Sequence, residues 1–566
     1  GLLIAGMELN AGRETIVPGG RATNCGVYDD SGPAAKALNW ISKPGYHDRF
    51  SLESPQRTFY NLYGIERAGR LSGRRFLGAH DWYREGCQFL TEKQHGDGSW
   101  HQGGTYDRWP TVSTSFALLF LSKGRTPVLI SKLVHGAWPR SETDLDWNND
   151  RYDARNLTDF ASRELFKKLP LAWQAFDIHR AVDSKDSGRS DEGLAEVISD
   201  LLQSPIVYFN GHKSPWLRFG DAEQDVLTKY VENGGFIVAE ACCASPAFDE
   251  GFRKLVKKLW PDNDLVPLPA DHPIWKAHFP VPPGSFRLEG LQMGCKTVLV
   301  YSPEDMSCLW ESNKFEDGKA QLAFRLGANI VAYATGMEPP RPRLSQTELA
   351  GAREDLGTVP RGYLKVAQLK HTGDWQPAPR AMRNLMDHVN KTAGVDVALQ
   401  TQPLEPLHEN MLDFKFLYVH GRGDFTFSEE ELKKLRFNLQ TGGLLFADAC
   451  CGSQAFDQAF RRFVRQAFPG HKLEQVPAQD ALYSKDLNGE ALTAQNIRLR
   501  RERGGEFRAS IPFLEGVKLD GRWVVLYSKY DIGCALERHQ SSDCLGYDNA
   551  SALRLGSAAV LYLLRP

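Results

Sequence analysis

Apolar residues recur at helical spacing around residues 35–41, 58–68, 81–93 and 111–123, and no convincing alternating strand interrupts the first 125 residues. From there the pattern changes. Short apolar runs at 128–134, 206–209, 236–240 and 297–301 have the length of buried strands, and amphipathic stretches separate them. In one such stretch Phe248, Phe252, Leu255, Val256 and Leu259 form a single helical stripe. Strands alternating with helices predict an α/β architecture with a mostly parallel sheet. Helix starts are legible as well. Ser245-Pro246 reads as an N-cap followed by an N1 proline, because proline lacks the N–H that the first turn leaves unpaired anyway. Ser428 and Glu431 have the spacing of a capping box, with Phe427 and Leu432 as its hydrophobic staple.

The α/β pattern occurs twice. Residues 235–270 align without a gap on 443–478 with 16 identities in 36 positions, including Ala-Cys-Cys at 241–243 and 449–451. Residues 288–311 align on 514–537 with nine identities in 24, including Leu-Glu-Gly and a Tyr-Ser-x-x-Asp-x-x-Cys block. Runs at 128–135 and 364–371 each end in histidine, and the later stripe is kept as Phe456, Phe460, Phe463 and Val464. The expected organisation is a helical segment at 1–125, a first α/β copy at 126–340, a linker at 341–361 and a second copy at 362–566.

Composition narrows the functional classes. The 566 residues are 42% hydrophobic and 24% charged, which excludes wholesale disorder. Lys+Arg of 68 against Asp+Glu of 70 leaves a net charge of -2, so the basic field needed for nucleic-acid binding is missing. No apolar run approaches the ~18 residues of a membrane helix. Ten cysteines are too sparse for a disulfide scaffold. The chain starts at Gly1, as expected of a processed or truncated product.

Within the helical segment, Gly86, Phe89, Leu90, Gln94, Gly98 and Trp100 match G-x-x-F-L-x-x-x-Q-x-x-x-G-x-W. This resembles the Gln-Trp repeat of squalene cyclases and prenyltransferase-like α/α toroids. The resemblance implies a partial toroid whose first half lies upstream, with Gln94 bonding the start of the next helix and Trp100 stacking over it. The cyclase acidic motif is absent, so only structure is implied. Each α/β copy resembles the bacterial domain-of-unknown-function family numbered 4159. The resemblance rests on the turns at Gly211-His212 and Gly421-Arg422, the glycine-led strands reaching Glu240 and Asp448, and the Phe-Asp helix starts. It implies a flavodoxin-like fold related to class I glutamine amidotransferases, a frequent union with toroid domains and an exported setting. It assigns no activity.

In an open parallel sheet, ligands sit at the carboxyl ends of the strands. Polar residues shared by both copies map there: His135/His371, Gly211/Gly421, Glu240/Asp448, Cys242/Cys450, Cys243/Cys451, Ser245/Ser453, Ser302/Ser528, Asp305/Asp531 and Cys308/Cys534. Three readings stand. In the first, Cys243 and Cys451 are nucleophiles at a strand–turn–helix elbow, with His135 and His371 as bases, in a hydrolase or amidotransferase-like enzyme. His212 and His272 occur in the first copy alone; Arg422 and Asp480 take their places in the second. In the second, His135, Cys242, Cys243 and Cys308 form a Cys3His metal site. In the third, the cysteines are core residues or disulfide partners, and Glu240, Asp448, Asp305 and Asp531 serve the structure. The third leads: a non-catalytic cell-envelope protein built for interaction or self-assembly, with a protein partner, no nucleic acid, no residue assigned to a metal or cofactor, and cofactors unknown. Its expected location is periplasm or cell envelope, with cytoplasm as the alternative.

Overall fold

The computed structural model describes residues 15–16, 22–23, 32–42, 51–54, 56–103, 105–137, 144–186, 190–315, 318–345, 362–539, 541 and 543–565. Most of the expected linker lies outside them. The chain divides into two compact units, Gly1–Leu291 with Val298–Leu349, and Gln292–Thr297 with Ala350–Pro566.

In the first unit, the stretches of helical periodicity fold as α1 (Gly32–Ser42), α2 (Thr58–Ser72), α3 (Trp82–Lys93) and α4 (Pro110–Gly124). Phe59, Leu62, Trp82, Leu90, Trp100 and Phe120 form their shared core. The Gln-Trp turn works differently from expectation. Gln94 Nε2 donates to Gly98 O within its own turn, at 3.0 Å. Trp100 makes the ties between helices: its indole N–H donates to Leu90 O on α3 (2.8 Å), and its amide donates to Thr114 Oγ1 on α4 (3.0 Å). Buried Arg75 joins these helices to the α/β part of the unit, meeting Asp81 at 2.9 Å and Asp200 at 2.7 Å.

That α/β part contains β1 (Val128–Val134), α5 (Asp153–Glu164), β2 (Ala172–Asp177), α6 (Arg180–Asp186), α7 (Ser190–Leu201), β3 (Ile206–Gly211), α8 (Asp221–Glu232) and β4 (Phe236–Ala241). It continues with α9 (Pro246–Leu259), β5 (Leu265–Pro267), β6 (Glu289–Met293), β7 (Lys296–Ser302), α10 (Ser307–Glu311) and α11 (Gly318–Thr335). The sheet order is β2-β1-β3-β4-β7-β6-β5. The first five strands run parallel. At the far edge β5 pairs antiparallel with β6. Successive strand residues face opposite layers. Tyr208 lies in the core with α5 and α11. Its neighbour Phe209 meets Phe252 of α9, whose ring stacks on Tyr301 at 4.4 Å. Ser245 caps α9 with Pro246 at its start, as the sequence predicts.

The second unit repeats the plan with β8 (Leu364–Leu369), α12 (Ala381–Ala393), β9 (Val397–Leu404), β10 (Phe416–Gly421), α13 (Glu429–Gln440), β11 (Leu444–Ala449) and α14 (Gln454–Ala467). It ends with β12 (Glu474–Gln475), β13 (Glu515–Leu519), β14 (Arg522–Ser528), α15 (Gly533–Leu536) and α16 (Asn549–Leu563). The order β9-β8-β10-β11-β14-β13-β12 matches the first sheet strand for strand. The Ser428–Glu431 capping box is formed at α13. Among the described residues no helix is long and apolar enough to cross a membrane.

Candidate active site

The centre of each sheet delivers its chain to the same place. β4 ends at Ala241, and Cys242 and Cys243 follow in a single tight turn before Ser245 starts α9. Cys243 has φ 54° and ψ 26°, and Ala244 has φ 55°. Left-handed backbone costs a non-glycine residue roughly 1–2 kcal/mol, so the surroundings must hold the turn. Two bonds do so. The Cys243 amide donates to Asp305 Oδ2 at 3.1 Å, and Ser245 Oγ donates to His212 O at 2.6 Å. The result is an exposed thiol on a strand-to-helix elbow.

The neighbouring strand brings the second group. His212 follows β3 directly, and one of its ring nitrogens lies within 4.8 Å of the Cys242 and Cys243 sulfurs. Its Nδ1 faces Asp146 Oδ1 at 3.2 Å, which leaves Nε2 for the thiol. Asp146 sits in a turn after β1 and is fixed by the backbone amides of His212 (3.0 Å) and Lys213 (2.9 Å). Gly211 makes that approach feasible, because a Cβ there would lie 2.9 Å from Asp146 Oδ2. Cysteine, histidine and aspartate thus stand in the order nucleophile, base, orienting carboxylate.

Electrostatics match this order. Hydrogen bonds from Cys242 and His212 outweigh partial burial and bring the Cys243 thiol down to about 4. Hydrogen bonds to Asp146 and Cys243 raise His212 to about 10. Burial pushes Asp146 upward, but bonds from the His212 ring and the Lys213 and His212 amides hold it well below the usual carboxylate range. Between those limits the pair is a thiolate facing an imidazolium. Cys242 is the opposite case: its bond to Cys243 and its burial keep it a neutral thiol.

Beneath the elbow lies a buried acidic layer. Ser307 Oγ is 2.6 Å from both Asp150 Oδ2 and Glu240 Oε1. Burial raises both carboxyls well above their ordinary values. One hydroxyl proton cannot serve two carboxylates, so at least one carboxyl retains its own proton. Glu240 also accepts the amides of Met306 and Ser307, both at 3.0 Å, which anchors the start of α10. Burial lifts Asp305 to about 6 while it accepts the Cys243 and Cys308 amides. Cys308 is disulfide-bonded, and its sulfur lies within 4.8 Å of Cys243 and Asp305.

The expected bases must be corrected. His135 is buried, its Nε2 donates to Asn210 O (2.9 Å), and its Nδ1 accepts from Arg218 Nε (3.0 Å). Burial and Arg218 bring it down to about 3. His371 is held likewise, with Nε2 on His420 O (3.1 Å) and Nδ1 accepting the Gly373 amide (3.1 Å). Neither has a nitrogen left for a thiol. The suggested Cys3His set is not assembled either, since His135 is committed to Asn210 and Arg218.

The second copy keeps the elbow and loses the base. Cys451 has φ 49°, its amide donates to Asp531 (2.7 Å), and Ser453 Oγ donates to Arg422 O (2.6 Å). Arg422 stands where His212 stands in the first copy. It points its guanidinium at the sulfurs of Cys450 (3.4 Å) and Cys295 (2.9 Å). Although its bond with Cys450 draws Cys451 down, Cys544 and burial push the thiol above its ordinary value. Asp448, the counterpart of Glu240, accepts from Tyr418 OH (2.8 Å) and from the amides of Ile532 (2.7 Å) and Gly533 (2.9 Å).

Reasoning restricted to residues shared by the copies passes over His212 and Asp146. The signal for His212 is the difference between copies: a histidine after the glycine in one, Arg422 in the other.

A family profile described as a domain of unknown function, DUF4159, matches residues 130–335 and again 365–564. These spans cover more than half of the chain, so the protein belongs to this family, with two copies of its domain in tandem. No curated protein matches the chain.

Proposed function

We propose that the first DUF4159 copy is a cysteine-dependent acyl-transfer enzyme, hydrolytic or amidotransferase-like. The observation that carries this reading is Cys243 on a left-handed elbow, with His212 against it and Asp146 behind His212. The strand order supports the same reading: the parallel strands of each sheet run 2-1-3-4-5 in chain order, the flavodoxin-like sequence. The Trp100–Leu90 tie supports a toroid-like origin for the N-terminal helices.

In the proposed cycle the Cys243 thiolate attacks an acyl carbon and the carbonyl π pair moves onto oxygen. The positive N-terminal end of α9 stabilises that oxyanion. His212 gives its proton to the departing amine or alcohol, leaving a thioester on Cys243. A water then loses a proton to His212 and attacks the thioester, and sulfur leaves as thiolate. Asp146 is a positioning residue that keeps Nε2 turned to the sulfur. The second copy and the helical segment take the interaction or assembly role. An exported, envelope setting is part of the proposal, supported by the disulfide bonding of Cys308 and of Cys295 with Cys534.

The test is acyl-enzyme trapping. The full chain is mixed with p-nitrophenyl acetate, quenched in acid and digested for mass spectrometry. The expected result is a burst of nitrophenolate with one acetyl group on Cys243, lost in Cys243→Ser. A burst unaffected by that substitution, or no acetyl on Cys243, would overturn the reading.

A further inference from the structure

The second copy carries a buried cluster that the acyl-transfer reading leaves unused. One ligand atom each from His420, Cys450, Asp531 and Cys534 lies within 4.8 Å of all the others, and all four residues are buried. His420 follows β10's pairing with β11, so its Nδ1 faces Asp448, 3.2 Å from Oδ2 and 3.1 Å from the carbonyl. Its Nε2 is buried with no oxygen or nitrogen partner and faces the Cys450 thiol. Beside that nitrogen Gly533 leaves room, since a Cβ there would lie 2.9 Å from Nε2. A buried imidazole with one nitrogen on a carboxylate and the other against sulfur has the arrangement of a metal ligand with its outer-shell carboxylate.

The first copy provides the internal contrast. There Asn210 replaces His420, and its Nδ2 donates to Tyr208 OH at 2.9 Å. A carboxamide used in that way leaves no imidazole lone pair for a soft metal.

The geometry points to a zinc site in the second copy, built from His420 Nε2, Cys450 Sγ, Cys534 Sγ and Asp531, and gated by the Cys295–Cys534 disulfide. Nitrogen, two thiolates and a carboxylate form a tetrahedral donor set that zinc accepts. In the structure Cys534 is bonded to Cys295, with a Cα separation of 6.5 Å. Residues 292–297 belong to the second unit, so the gate and the site lie in one unit. Cys450 Sγ is 2.8 Å from Cys295 Sγ and 3.4 Å from Cys534 Sγ, so all three sulfurs meet at one point. A dithiol reductant supplies two electrons and two protons, the Cys295–Cys534 bond breaks, and two thiols result. Binding of Zn2+ then releases the Cys450 and Cys534 protons and leaves two Zn–S bonds. A small-molecule disulfide such as oxidised glutathione reverses the sequence: it takes two electrons and leaves as two thiols, the Cys295–Cys534 bond re-forms, Cys450 regains a proton, and Zn2+ is released.

The experiment uses the full chain, reduced and desalted, with Co2+ as the optical probe and Zn2+ as competitor. One Co2+ per chain is expected, with a thiolate-to-cobalt charge-transfer band that Zn2+ abolishes, and none in the oxidised protein. His420→Asn, which copies the first repeat, should weaken binding at least ~100-fold, the upper end of what outer-shell changes alone cost. Asp448→Asn should weaken it roughly 10–100-fold. Cys450→Ser should abolish the charge-transfer band, and Cys243→Ser should leave metal binding and the band intact. Circular dichroism of each metal-free variant shows whether it is folded. Alkylation footprinting of the unsubstituted chain gives a second readout: Zn2+ should protect Cys450 and Cys534 but not Cys243. Absence of the band in reduced protein, binding undiminished in folded His420→Asn, or no protection of Cys450 and Cys534 would each overturn the site. Acetylation of Cys243 is a separate readout, so failure of one proposal is distinguishable from failure of the other.

Discussion

At the scale of single residues, the proposed acyl transfer depends on a proton shared between Cys243 and His212. A cysteine brought down to about 4 is a thiolate above that pH, and an imidazole raised to about 10 keeps its proton below that pH. Acyl transfer should therefore fall off as acid protonates the sulfur and again as base removes the imidazolium proton, giving a broad bell between those limits. In His212→Ala the thiol loses its partner. Its alkylation midpoint should rise towards the ordinary ~8.5, measured by iodoacetamide rates across pH. Asp146→Asn should retain the fold and lower acetyl-enzyme formation by roughly 10²–10⁴-fold, in stopped-flow nitrophenolate release. The cysteine half of this pair was legible in sequence, because Ala-Cys-Cys before a capped helix marks an elbow. The base was not. His135 and His371 each follow a strand at matching positions, but a strand-end histidine such as His135, beside Arg218 and a backbone carbonyl, spends both nitrogens on the fold.

At the scale of elements, the residues repeated between copies are largely those that lock helix to sheet. Asp249 on α9 accepts from Arg253 Nε (3.1 Å) and Tyr301 OH (2.8 Å), while Arg253 forks onto Glu289 at 2.7 and 2.9 Å. Asp457, Arg461, Tyr527 and Glu515 repeat the arrangement, with Arg461 reaching Glu515 at 3.1 and 2.6 Å. The Phe-Asp, Leu-Glu-Gly and Tyr-Ser blocks, separate in sequence, are thus one charge-assisted clamp. Periodicity predicts α9 and β7 but not β6 or the clamp, which needs β7 beside β4 and β6 beside β7. Glu515→Gln should lower unfolding free energy by about 1.5–3 kcal/mol, as loss of a hydrogen bond to a charged group does, in urea titrations. Ser428→Ala should cost about 1 kcal/mol through the lost cap.

At the scale of the whole molecule, two copies of one domain carry different side chains at matching positions of one framework. His212 and Asn210 in the first copy stand against Arg422 and His420 in the second. In the acyl-transfer proposal the first substitution decides where a thiol is activated; the second decides where an imidazole faces two sulfurs. Cys451→Ser should therefore leave acetylation of Cys243 unchanged. The measurement that bears most directly on the central claim is the pH profile of iodoacetamide labelling, cysteine by cysteine, on the intact chain. Cys243 is expected to be alkylated first, at a rate already at its plateau at pH 6 and with a midpoint near 4. Labelling of Cys243 that begins only near pH 8, no faster than that of Cys87, would contradict it.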